Sequence, residues 1–233
     1  MMTKLRLDLE SIRAWDVSVL ADATACGALG SLQHLTLGSN QIGDEGMTAF
    51  SAAISSGSMV SLTHLVLENN QIGDEGVQAF SSAIASAALA SLKKLHLNCN
   101  QIGDAGITAF ASAIGSGSLA SLQMLSLCGN QIGDEGMKAF SGSGAISSRS
   151  LGNLIRLDLD RNQISDAGMK AFSEAIDMGS LVSLETLYVD DGPFGTDHPP
   201  TQPAPSTQSS LSGSRDQLTI ADRGTAMFRV NGP

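Results

Sequence analysis

"NQIGDEGMTAF" fills residues 40–50, and the chain writes it again as "NQIGDEGVQAF" at 70–80 and "NQIGDAGITAF" at 100–110. Later copies start at Asn130 and Asn162. Outward from these copies a period of thirty holds. Leu32, Leu35 and Leu37 recur as Leu62, Leu65, Leu67, then Leu92, Leu95, Leu97, then Leu122, Leu125, Leu127. A slip of two residues then gives Leu154, Leu157 and Leu159. Ile42 and Phe50 return in every unit, ending at Ile164 and Phe172. A degenerate unit precedes them, with Leu5, Leu7, Ile12 and Leu20 in register and Glu10 where the asparagine is due. Leu184, Leu187 and Val189 begin one more strand without a helix after it. A fixed period of this size predicts a solenoid.

Each half of the unit has its own periodicity. In "HLTLG" the period is two, so Leu35 and Leu37 point one way and His34, Thr36 and Gly38 the other. Asn40 marks the turn, where a side-chain amide can bond backbone groups otherwise buried unpaired. Such asparagines, stacked, predict a ladder along the coil. Asp44 precedes the next apolar run and reads as the N-cap of its own helix, with Glu45 favoured by the helix dipole. Met47, Phe50 and Ile54 then lie at i, i+3 and i+7, one inward helical face. Ala49 and Ala53 recur and allow neighbouring helices to pack closely. One such unit cannot bury its apolar face alone, so stacking must supply the core. The fourth unit reads "AFSGSGAI" instead of "AFSAAI", which predicts a break near Gly142 to Gly144.

The pattern L-x-x-L-x-L-x-x-N-x-I resembles the leucine-rich repeat, and "GDEGMTAFSAAI" resembles the ribonuclease-inhibitor-type subfamily, whose units carry a full α-helix. The resemblance covers residues 1–189. It implies an α/β fold: a right-handed leucine-rich-repeat solenoid, a horseshoe segment with a concave parallel β-sheet and convex α-helices. Residues 190–233 change composition; "DDGPFGTDHPPTQPAPSTQSSLSGSRDQ" is rich in Pro, Ser, Thr and Gln and is expected to be disordered. "LTIADRGTAMFRV" has the composition of a short strand, although no repeat supports it.

Composition bounds the function. The net charge of −10 argues against nonspecific nucleic-acid binding. Hydrophobic residues make up 42% and aromatics 4%, so the core is aliphatic. No apolar run approaches the roughly 20 residues of a membrane span. Cys26, Cys99 and Cys128 give neither a paired framework nor a CxxC motif, and the expected location is the cytoplasm. No nucleophile–base signature, P-loop or HExxH is present, so no enzyme, cofactor or small-molecule substrate is expected.

The copied positions are core, turn and cap. The positions that drift lie beside the strand leucines, on the side expected to be concave. The first column contains Lys4, His34, His64, Lys94, Met124 and Arg156. The second contains Arg6, Thr36, Val66, His96, Ser126, Asp158 and Tyr188, and the third contains Glu68, Asn98 and Asp160. Parallel strands about 4.8 Å apart carry these columns over an arc of roughly 30 Å. A mixed-charge surface of that kind is the expected site for a protein partner. Three histidines share it, but no spacing matches a metal site, and no bound metal is expected.

Two alternatives come from resemblance alone. Ran GTPase-activating proteins have this repeat architecture, and Arg161 in "DRNQISD" or Arg13 would be the candidate arginine. The repeats of NOD-like receptors imply a ligand-sensing segment of a larger protein.

Overall fold

A computed structural model describes residues 3–8, 29–55, 57, 59–142, 146, 150–177, 181–189 and 226–229. Strands β1 (Lys4–Arg6), β2 (His34–Thr36), β3 (His64–Val66), β4 (Lys94–His96), β5 (Met124–Ser126), β6 (Arg156–Asp158) and β7 (Thr186–Val189) pair in chain order, all parallel. Helices α1 (Gly43–Ser55), α2 (Asp74–Ala85), α3 (Asp104–Gly115), α4 (Asp134–Gly142) and α5 (Asp166–Asp177) alternate with strands β2 to β7. The architecture is the α/β solenoid that the repeat implies.

Register follows from the copied leucines. Leu35, Leu65, Leu95, Leu125, Leu157 and Leu187 pair in one line across the sheet. All are buried, as are Phe50, Phe80, Phe110, Phe140 and Phe172 from the helices. One continuous core therefore fills the space between sheet and helices. At the amino-terminal edge Leu5 and Leu7 are only partly buried, because the described chain has no strand outside β1.

The asparagine ladder is present. Asn100 Nδ2 donates to its own Leu97 carbonyl at 3.1 Å and to Leu67 of the preceding unit at 3.0 Å. Its Oδ1 accepts the Asn70 and Ile72 N–H groups, both at 3.0 Å. Asn130 and Asn162 repeat the pattern toward Leu97 and Leu127. Each amide thus satisfies buried backbone groups in two units at once.

The expectation that Asp44 caps its own helix is corrected. The N-caps of α2 and α3 are Gly73 and Gly103, and neither supplies a side-chain bond. The carboxylate comes from the unit before. Asp44 Oδ1 accepts the N–H groups of Gly73 at 2.6 Å and Gly76 at 3.0 Å. Asp74 does the same for Gly103 and Gly106, at 2.7 and 2.9 Å. Asp104 accepts from Gly133. Asp134 takes the Ser165 hydroxyl at 2.6 Å and the N–H groups of Ser165 and Gly168. The Ser165 hydroxyl, with these backbone bonds, holds the Asp134 carboxyl below the usual range. Orphan donors at one helix start are therefore met by its neighbour. The same contact accounts for the second glycine of "GDEG". A Cβ on Gly76 or Gly106 would sit 2.6 Å from that aspartate Oδ1.

Helix α4 is described from Asp134 to Gly142. Residues 143–145, the rest of the expected break, lie outside the described residues. The expected disorder of 190–233 also falls mostly outside them. Ala226–Arg229, however, forms strand β8, antiparallel to β7, with Leu187 opposite Phe228. It covers the backbone edge of the last parallel strand.

Candidate partner-binding surface

Alternation along each strand sends one residue into the core and its neighbours to the open face of the sheet. His34, His64, Lys94 and Arg156 accordingly flank fully buried leucines and are themselves half-buried. Pairing places Lys4, His34, His64, Lys94, Met124, Arg156 and Thr186 in one row. Arg6, Thr36, Val66, His96, Ser126, Asp158 and Tyr188 form the next. Glu68, Asn98 and Asp160 lie two residues past the ends of their strands and are half-buried. The expected columns are thus adjacent rows. Ser126 is the least accessible of them at 5% exposed, with its hydroxyl donating to Asp158 Oδ2 at 3.1 Å.

The imidazoles of His34 and His64 stack, with centroids 4.1 Å apart and planes at 22°. Thr63, a neighbour that the column pattern does not single out, fixes the second ring. Its hydroxyl donates to the Gln33 carbonyl at 2.9 Å and lies 2.9 Å from His64 Nδ1. A hydroxyl has one proton, so with that proton on Gln33 the Thr63 oxygen accepts from Nδ1–H. His64 Nε2 is then the nitrogen that can gain a proton. Burial, followed by His34, Lys94, His96 and Lys93, lowers the pKa of His64. Burial also lowers that of His96, against the opposing pull of Glu68 and Asp158.

Two carboxylates of the face, Asp8 and Asp158, have internal partners. Asp8 accepts from Arg6 Nε at 2.7 Å and from the Gly38 N–H at 2.8 Å. Asp158 accepts from Ser126 and from the Asp160 N–H. The cations differ. The ion pairs among the described residues are Arg6–Asp8 and Lys138–Glu135, so Lys94 and Arg156 have no carboxylate against them. The Arg156 guanidinium lies instead over the Tyr188 ring, 4.5 Å from its centroid.

Other chemistry weighed in the sequence finds ordinary places. Ser39, Asn69, Cys99, Gly129 and Arg161 all have φ between 52 and 68°, each directly before a ladder asparagine. Arg161 thus occupies the regular left-handed turn position of its unit; Arg13 lies outside the described residues. Burial, then Asp158 and Asp160, pushes the Cys128 thiol up to about 11, which keeps it protonated and unreactive. Among the described residues no group of three or more His, Cys, Asp or Glu is arranged to hold a metal ion.

The family pattern described as Leucine Rich repeat matches residues 31–51, 58–81, 88–111, 118–141 and 153–173. The five matched units are leucine-rich repeats. Each match runs from the strand approach into the helix, so the copied leucines, the ladder asparagine and the cross-unit aspartate all fall inside it. One similar solved structure is titled "Crystal Structure of a Pollen Receptor Kinase 3". It is 16% identical with a TM-score of 0.38, and the match covers 70% of this chain and 64% of that one. This chain therefore spans less than two thirds of that structure. No curated protein matches it. As leucine-rich repeats, the units point to a protein-interaction module.

Proposed function

We propose that this chain is a non-catalytic interaction module that takes a protein partner on the open, concave face of its sheet. The observation that carries this reading is the contrast within single strands. Leucine is retained at every inward position, while the residues beside it change from histidine to lysine, methionine, arginine and threonine. A solenoid scaffold of this kind holds a changing surface in fixed register, which is what recognition of an extended partner needs. The 12-residue helices of α2, α3 and α5 support assigning the units to the ribonuclease-inhibitor type.

The test is a pull-down with the intact chain, followed by amide hydrogen exchange of the captured complex. New protection in β2 to β6 with unchanged helices is the expected result. Protection confined to α1 to α5 would move the interface to the convex side and overturn the proposal.

A further inference from the structure

We propose that the first row of the open face, Lys4, His34, His64, Lys94 and Arg156, docks an extended acidic segment of a partner protein, and that this docking takes up protons. This deepens, and rests on, the reading of the open face as the interaction surface.

Three observations support the choice of partner chemistry. The row is cationic or protonatable at five of its seven positions and contains no acid, in a chain whose net charge is −10. The acids of the face, Asp8, Glu68, Asp158 and Asp160, lie in the other rows, and Asp8 and Asp158 are already hydrogen-bonded. Lys94 and Arg156, by contrast, have no carboxylate partner among the described residues. Charge complementarity therefore favours a partner that brings its own carboxylates.

Geometry sets the length of that segment. Lys4 and Thr186 are six strand spacings apart, about 29 Å at 4.8 Å each. An extended chain advances about 3.3 Å per residue, so roughly nine residues cross the row.

The stacked pair adds the proton dependence. His34 faces Lys4 on β1 and His64 on β3. His34, Lys94, His96 and Lys93 lie around His64, and each disfavours its protonated form. Two imidazoliums 4.1 Å apart repel each other in the free protein. A carboxylate laid along the row offsets that repulsion and favours proton uptake by the stacked pair. The free Nε2 of His64 is the atom that receives one. Binding then strengthens as pH falls, by up to about tenfold per pH unit for each proton taken up.

The experiment titrates the intact chain with a fluorescent deca-glutamate peptide at pH 7.5 and 6.0. A deca-glutamine peptide and a thymidine decamer serve as comparisons. The expected result is binding of deca-glutamate alone, at least about tenfold tighter at pH 6.0. Lys94→Gln with Arg156→Gln should weaken it about tenfold or more at both pH values. His34→Gln with His64→Gln should flatten the pH dependence while the fold, followed by circular dichroism, is retained. Lys138→Gln with Lys170→Gln, on the helices, should change nothing. Absence of deca-glutamate binding at pH 6.0 overturns the proposal. So does equal binding of the thymidine decamer, or binding indifferent to Lys94 and Arg156. None of these results touches the exchange test of the open face with its captured partner, so the two readings fail separately.

Discussion

Leu65 and His64 are neighbours in one strand and live under different constraints. Leu65 is fully buried, and every strand from β2 to β7 keeps a leucine in its line. His64 faces the open side, and the same line there runs through histidine, lysine, methionine, arginine and threonine. The difference shows which interactions a stacked repeat cannot give up. An inward side chain must fill a space that two neighbouring units and a helix define together. An outward one has only to be compatible with the strands beside it.

The inward side offers the largest effect. Phe80 and Phe110 are fully buried in central units. Truncating either to alanine should cost about 3–5 kcal/mol. A denaturant midpoint that stays within error of the parent would mean that the helix face is wrongly assigned.

Next come the cross-unit caps. Asp74 serves α3, whereas no described helix follows α5 to use Asp166. Asp74→Ala should therefore cost about 0.5–2 kcal/mol, the usual range for a lost cap. Asp166→Ala should cost clearly less. Equal losses from the two would restore the reading in which each aspartate caps its own helix.

That capping marks the limit of what the sequence made legible. Spacing alone located the strands, the ladder asparagines and the inward phenylalanines, because period two and period 3.6 are local properties. An aspartate one residue before a helix reads the same whether it serves that helix or the next. The recurring "GDEG" held the clue, since a glycine at the third helical position is otherwise costly. It needed the neighbouring unit to be understood. Strand β8 was legible only as composition, in "LTIADRGTAMFRV", for a related reason: nothing repeats there, and its place depends on the edge that β7 leaves open. The columns of the open face were readable as columns, but the imidazole stack and the part played by Thr63 arise from side-chain packing between strands.

A smaller effect belongs to the open face itself. His64 has a folded-state pKa below its ordinary 6.5. Below that value the unfolded chain binds more protons than the folded one, so acid favours unfolding. Stability should be full above about pH 6.5, fall as the pH drops through the window beneath it, and level off once the folded protein is protonated too. His64→Gln should make this acid-side decline shallower without altering stability at pH 8. A decline of unchanged slope would show that His64 contributes nothing to it.

The smallest effect on stability should come from the two cations to which the proposal gives recognition. Lys94→Glu with Arg156→Glu should change the melting curve little, the loss of the Arg156–Tyr188 contact included, since substitutions outside the core usually stay within about 0.5 kcal/mol each. The direct test is to titrate the captured partner against this pair and against Lys138→Glu with Lys170→Glu on the helices, at two salt concentrations. The account predicts that reversal on the open face abolishes binding or weakens it severely, with an altered salt dependence, while reversal on the helices leaves it intact. Loss of binding from the helix pair, with the open-face pair silent, would contradict it.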